Sequence, residues 1–448
     1  MIFVSRFRIQ HEVSMKDNQR ESGPNAPGGE RAGRTPVAAL RHRDFSIYWS
    51  GSVLSLVGSQ FTSVAMAWQI YELTNSPLEL GLLGLARGAP MLVLLLFGGL
   101  LADAVNRRHL MMATQIAQTC VSASLALMTL VGWVSPTVLY VASLFLALFS
   151  SLEQPARTAI IPNLVPKSDL ANALALSGTQ RHVATIVGPS LAGLLLARSG
   201  PTLCYVVDAV SWVAMLAALA MMRPLAQAAG GRGALSMQAL REGVAFVWTH
   251  PVILSMMALD FSQNFLGSGR ALLPIYARDI LGVGPQGLGL LYSANSAGAL
   301  AMGAVMSVRS QVRRAGIWVL VSVSAYGIFT MVFGLSHFFW LSFLMLAAAG
   351  AANTVSFVLR NTINQFLTPD EIRGRVTSVN SMFTNTGPQL GQFEAGALAS
   401  VIGAAGATAV GGLLVTSIAA GLAAVRSVRG FEVGESAPAE TREVPARA

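Results

Sequence analysis

Apolar residues in this chain gather into long runs. They fall at about residues 47–71, 78–102, 109–132, 137–156, 173–197 and 203–222, and again at 252–275, 287–308, 316–336, 338–358, 376–400 and 403–425. About 20 mostly apolar residues are what a helix needs to cross the hydrocarbon of a bilayer, and a helix meets its own backbone hydrogen-bonding needs there. The pattern predicts an all-α membrane protein with twelve transmembrane helices in two pseudo-symmetric six-helix bundles. Only the break at Ser336 and His337 separates the ninth run from the tenth. The expected organisation is a disordered tail at 1–44, a first bundle at 45–222, a linker at 223–251, a second bundle at 252–425 and a disordered tail at 426–448. Within the linker, Met237, Leu240, Val244 and Val247 share one helical face, as expected of a helix lying along the membrane surface. The first 36 residues lack the apolar core of a secretory signal, and Met15 is an alternative start.

Composition reinforces the pattern. Of 448 residues, 53% are hydrophobic and 11% charged, against about 25% charged in a soluble domain; mean hydropathy is +0.57. The net charge of +9 suggests no nucleic acid once its distribution is followed. With twelve spans, 25 of the 30 basic residues fall in the tails and in loops on one side, Arg157 and Arg360 counted among them; Arg87, Arg181 and Arg270 lie within spans, and Arg198 and Arg278 on the other side. Short cytoplasmic loops concentrate Lys and Arg, so both termini are expected in the cytoplasm. The two lysines, Lys16 and Lys167, close no phosphate-binding loop of the G-x-x-x-x-G-K-[ST] kind. Cys120 and Cys204 stand apart from any metal-ligand spacing. Neither H-E-x-x-H nor G-x-S-x-G occurs, so a membrane enzyme is disfavoured.

The halves repeat at an offset of 203 residues: Arg157, Ile160, Leu164, Pro166, Gly188, Ala192 and Gly193 fall opposite Arg360, Ile363, Leu367, Pro369, Gly391, Ala395 and Gly396. Internal duplication of this kind belongs to transporters, with the substrate site near the midplane between the repeats.

After the second run the chain reads Gly99-Leu100-Leu101-Ala102-Asp103-Ala104-Val105-Asn106-Arg107-Arg108. This resembles the major facilitator superfamily motif G-x-L-A-D-x-x-G-R-[RK] through Gly99, Leu101, Ala102, Asp103, Arg107 and Arg108; Asn106 replaces the usual glycine, and Ala104 stands where arginine is frequent. The resemblance implies a gating clasp between the second and third helices, with Asp103 pairing with a helix N-terminus or an arginine. Topology alone also accounts for Arg107 and Arg108. In the fifth run, Gly188-Pro189-Ser190-Leu191-Ala192-Gly193 is similar to the antiporter signature G-P-x-x-G-G, which implies efflux; small-residue packing against a neighbour is the other reading. Four further stretches, Leu40–Phe45, Tyr71–Pro77, Arg157–Pro162 running to Leu174, and Leu240–Gly243 before His250-Pro251, resemble the enterobactin-exporter-like and macrolide-efflux-like branch. The likeness spans residues 38–425.

Ionisable residues inside spans are costly and mark function by default. Asp260 and Glu394 are the candidate proton-titrating residues. Asp260 lies about 13 Å into the seventh span at 1.5 Å per residue, with Asn264 one turn on. Arg87 and Arg270 either attract an anionic substrate or neutralise those acids. Ser59 in the polar stripe Ser52, Ser55, Ser59, Ser63, and Gln389 in the stripe Asn385, Gln389, Gln392, face a cavity or bond neighbouring helices. Phe61, Trp68, Phe265, Tyr292 and Phe383 are candidates for an apolar pocket. The implied protein is a monomeric secondary transporter of a bacterial inner membrane, without cofactor, exporting a small amphipathic molecule, a siderophore or antibiotic-like compound, against protons. An importer of a polar metabolite and a non-transporting sensor on the same fold are the alternatives.

Overall fold

The computed structural model describes residues 37–102, 107–223, 237–308 and 314–431. Among them all regular structure is helical. The first half comprises α1 (Arg43–Thr74), α2 (Pro77–Ala102), α3 (Arg107–Val131), α4 (Pro136–Ile160), α5 (170–199) and α6 (201–221). The surface helix α7 (Met237–Thr249) precedes the second half: α8 (Pro251–Phe265), α9 (Gly284–Val308), α10 (Ala315–Leu335), α11 (Phe339–Leu367), α12 (373–402) and α13 (404–423). Eight helices meet the length and hydropathy of a crossing, two of them of double length, and the pair 241–249 and 251–280, bent by 106°, supplies one more. With the 26-residue apolar α2, the crossings among the described residues number twelve.

The double-length helices, Leu170–Met221 and Arg373–Ala423, contain 52 and 51 residues. At 1.5 Å per residue each is about 75 Å long, more than twice a hydrocarbon core of about 30 Å. Each turns back at a single glycine, Gly200 (φ 72°, ψ −177°) and Gly403 (φ 76°, ψ 163°). These glycines stand 203 residues apart, so the repeat extends to the hinge of each half. Because this backbone region is all but closed to residues with a Cβ, Gly200→Ala and Gly403→Ala are each expected to cost about 1–3 kcal/mol and to lower the thermal midpoint of the purified protein. Gly374→Ala, in an ordinary helical site with open space around it, serves as the control. Equal midpoints for all three would refute the reading.

The seventh crossing corrects the expected continuous run at 252–275. α8 ends at Phe265, and the chain continues through short turns at Gly269–Leu272, Leu273–Ile275 and Tyr276–Ile280. The break falls where Gly267 presses on Tyr326: a Cβ there would lie 2.6 Å from the ring, and Tyr326 donates to the Gly267 carbonyl at 2.9 Å.

Within the first half, α1 packs on the α5–α6 pair and α2 on α4; within the second, α9 packs on α11 and α10 on the α12–α13 pair. The halves meet along α2 with α12 and α5 with α9. The described interhelical turns lie at two ends of the bundle. One end, here the linker side, holds the starts of α1 and α8 and the ends of α6 and α13; the other is the far side.

Candidate functional site

A cavity of about 730 Å³ runs into the first half and reaches Gln389 of α12. Its lining extends from Ile161, Leu174, Arg181 and His182, near the linker-side ends of α4 and α5, to Met66 and Arg87. Three of the four serines of the α1 stripe, Ser52, Ser59 and Ser63, line it.

On the far side the halves are in backbone contact. A Cβ on Gly193 of α5 would lie 2.5 Å from the Pro285 carbonyl oxygen, and one on Gly289 of α9 would lie 2.3 Å from that of Pro189. Between α2 and α12, a Cβ on Gly396 would meet the Gly81 Cα at 2.7 Å. Ser293 Oγ donates to the Ile186 carbonyl at 2.6 Å, Tyr71 donates to Asp279, and the Arg278 guanidinium lies 5.5 Å from the Tyr71 ring centroid. The Gly188-Pro189 segment therefore sits where the halves close. Gly188 faces Gln60 of α1 within its own half, whereas Pro189 and Gly193 face α9.

Three buried carboxylates organise the interior. Glu153 of α4, 1% exposed, pairs with Arg157 one turn on and accepts from Gln115 at 2.7 Å, Gln118 at 3.0 Å and Thr114 at 3.3 Å. Arg157 in turn donates to Ser52 and Ser55 at 3.2 and 3.3 Å. In the second half, Arg360 of α11 binds Asp260 of α8 at 2.8 Å. The other Asp260 oxygen accepts from Thr384 of α12 at 2.8 Å, and Asn264 donates to Asp260 Oδ1 at 3.2 Å. Asp208 of α6 differs: its Oδ2 accepts from Thr62 of α1 and Ser122 of α3, both at 2.7 Å, and no cation pairs with it among the described residues.

Arg157 and Arg360 are thus not loop residues, as the count of basic residues took them to be. They are pseudo-symmetric helix residues that each engage a carboxylate, and their shared offset of 203 was the signal. The acids do not follow the repeat. Glu153 lies on the same helix as its arginine, whereas Asp260 comes from α8, so Ser356 stands opposite Glu153 and Val57 opposite Asp260. Glu153 went unnoticed because it sits at the polar end of an apolar run.

The structure brings Asp260 and Asn264 together but leaves Glu394 half-buried, away from the cavity, with no hydrogen bond or ion pair among the described residues. Ser59 and Gln389 face the cavity. Arg87 lines its inner end and donates to Ser143 at 3.2 Å. Arg270 stacks on Tyr292, 5.2 Å from the centroid. Neither neutralises Asp260, a task that falls to Arg360. Gln392 packs on Gly84 of α2. The five aromatics do not share one pocket: Phe265 and Phe383 cluster with Phe261, while Phe61 and Trp68 pack in the core. Asp103 lies outside the described residues, and of Gly99 and Arg107 only the helical backbone is described. Arg108 caps α6, donating to the carbonyls of Leu219 and Ala220 at 2.9 and 3.2 Å, which suits a cation at a helix C-terminus.

Twelve crossings among the described residues, in two repeats hinged alike, with a cavity that runs into the first half and reaches Gln389 of the second, define a secondary transporter of the major facilitator fold. The chain belongs to the transmembrane secretion effector family, which it matches over residues 34–446. It is 28% identical over 380 residues to the enterobactin exporter EntS of Shigella boydii serotype 18, covering 84% of this chain and 91% of that one. Solved structures share the fold: a POT family transporter in complex with a thioalcohol-conjugated peptide (TM-score 0.68, 13% identity, 86% of this chain and 96% of that one). Another is a bacterial homolog of the human lysosomal transporter Spinster, inward-facing and occupied (TM-score 0.67, 15% identity, 89% and 99%).

Proposed function

We propose that the protein is a proton-coupled exporter of a small amphipathic molecule of the siderophore or antibiotic class, working by alternating access in a bacterial inner membrane. The observation that carries this reading is the cavity of about 730 Å³ whose lining reaches the linker-side ends of α4 and α5, while glycine contacts bring the halves together on the far side. The excess of basic residues assigns the linker side to the cytoplasm, so the cavity loads from within the cell. Its serines and its apolar residues Leu56, Met66 and Leu146 suit a molecule with both characters. Similarity to a siderophore exporter and the Gly188-Pro189 motif at the closing surface support export. Asp103, Arg107 and Arg108 then form the clasp that holds the linker side shut in the opposite state.

The coupling proton acts at Asp260 and Asp208. Each ties three helices of one half together, α8, α11 and α12 or α1, α3 and α6, so protonation changes the balance between two packings; a proton shifts such an equilibrium only through different affinity for the two states. Glu394, solitary and outside the cavity, is the weaker of the two sequence candidates.

Proton flux in everted membrane vesicles under an imposed pH gradient tests this, with siderophores and lipophilic drugs added in turn. Compound-induced proton release in the wild type, absent from Asp260→Asn and Asp208→Asn, is expected. Release undiminished in both variants would remove the carboxylate assignment. Uptake into right-side-out vesicles with no release would make the protein an importer.

A further inference from the structure

The outer surface of the second half carries a groove of about 450 Å³ between α10 and α13, which shares no lining residue with the cavity. Its wall is apolar except for Ser324 and Arg429. Small residues make it: Ala325 on α10 and Ala419, Ala420 and Ala423 on α13 leave space that larger side chains would fill, while Val321 and Ile328 stand exposed along it. The α10 side of the groove begins at Ile317, in the first turn of that helix, and reaches Ile328. At 1.5 Å per residue that is about 16 Å, half the depth of a hydrocarbon core of about 30 Å. The groove thus spans one leaflet, from the linker-side end inward.

Arg429 stands at that end. It belongs to the short helix α14 (Arg426–Arg429), which follows α13. The segment is anchored: Val428 is fully buried in the α10–α13 core, Gly316 leaves room for its carbonyl, and the Gly316 N–H donates to the Phe431 carbonyl at 3.3 Å. The Arg429 side chain itself is exposed on the groove and pairs with no acid among the described residues.

An apolar hollow that faces hydrocarbon gains dispersion contacts when a chain fills it and forfeits them when none does. At the level where acyl chains give way to headgroups, a guanidinium presents a fork of donors that matches phosphate oxygens. A zwitterionic lipid brings an ammonium that already compensates its phosphate, whereas an anionic one does not, so the arginine favours net negative charge. We propose that the α10–α13 groove binds one anionic phospholipid of the linker-side leaflet, with an acyl chain along Ile317–Ile328 and the phosphate on Arg429. The site is independent of what the cavity carries and in which direction, so either reading can fail while the other stands.

The test uses the full-length protein in phosphatidylcholine vesicles, with two probes that carry the same photoreactive diazirine midway along one acyl chain, a phosphatidylglycerol and a phosphatidylcholine. After irradiation the adducts are mapped by mass spectrometry. The phosphatidylglycerol probe is expected to label residues 317–328 and 419–423 about fivefold more than the phosphatidylcholine probe, the factor that one interfacial cation contributes. Arg429→Gln is expected to bring the two probes level and Arg429→Lys to keep part of the preference. Arg426→Gln removes the same charge from a residue outside the groove lining and is expected to leave the preference near wild type. Equal labelling by both probes in the wild type overturns the proposal, and that comparison needs no variant to fold. So do adducts spread evenly over other exposed apolar faces, such as Val141 and Phe145 of α4, or an equal loss in Arg426→Gln and Arg429→Gln, the mark of diffuse attraction to a basic end. A dimer that Ala420→Trp dissolves while lipid labelling stays unchanged would make the groove a seam between two copies instead.

Discussion

Asp260→Ala is expected to destabilise the protein by about 3–5 kcal/mol, the cost of leaving one member of a buried ion pair without the other. Arg360 is 4% exposed and Asp260 6%, so solvent screening offers little relief, and the Thr384 hydroxyl loses its acceptor as well. Replacing both charges, Asp260→Ala with Arg360→Met, is expected to recover most of the loss, because a well-packed apolar pair of similar volume is close to neutral against a buried salt bridge. Thermal unfolding followed by intrinsic tryptophan fluorescence in detergent reads this cycle. If the single variant melts like wild type, the pair contributes little and α8, α11 and α12 are held together by packing alone. If the double variant is as unstable as the single one, the orphaned charge is not the cause.

The second large effect is expected at the far-side closure. A Cβ on Gly289 would sit 2.3 Å from the Pro189 carbonyl oxygen and 3.0 Å from the Gly193 Cα. These are backbone atoms of the other half and cannot rotate away. Gly289→Leu must therefore push the halves apart at that end. Overpacking of this kind costs about 1–3 kcal/mol, enough to move a two-state ratio by roughly 5- to 150-fold. The clash exists only while the far side is closed, so the population shifts to the far-side-open state and transport falls by about the same factor. Labelling of Ser63→Cys, placed on the cavity wall in a background of Cys120→Ser and Cys204→Ser, reports it with a membrane-impermeant maleimide applied to right-side-out and everted vesicles. Faster labelling from the far side and slower from the linker side is the expected outcome. An unchanged ratio would mean that this contact is not the closure.

Much of this architecture is legible in the chain because the solvent dictates it. A bilayer core offers no partner for a bare backbone, so the apolar runs had to be helices of crossing length, and the offset of 203 residues already announced the repeat. The site is less legible. Ser59 and Gln389 lie on the cavity as their helical spacing suggests, and Asn264 meets Asp260 because a four-residue step returns to the same face. The partner of Asp260 was hidden: Arg360 stands 100 residues away on a helix end that reads, in one dimension, as a cytoplasmic loop. Glu153 was hidden likewise, and Glu394, prominent as an acid in an apolar run, engages no partner among the described residues.

The sequence by itself determined the crossings, the duplication and the superfamily, all properties of local pattern in an apolar solvent. The tertiary structure alone decided which charges meet. A buried charge is stabilised by whatever lies within a few ångströms, and that neighbourhood is set by how helices remote in sequence pack. Hence Arg360 rather than Arg87 or Arg270 neutralises Asp260.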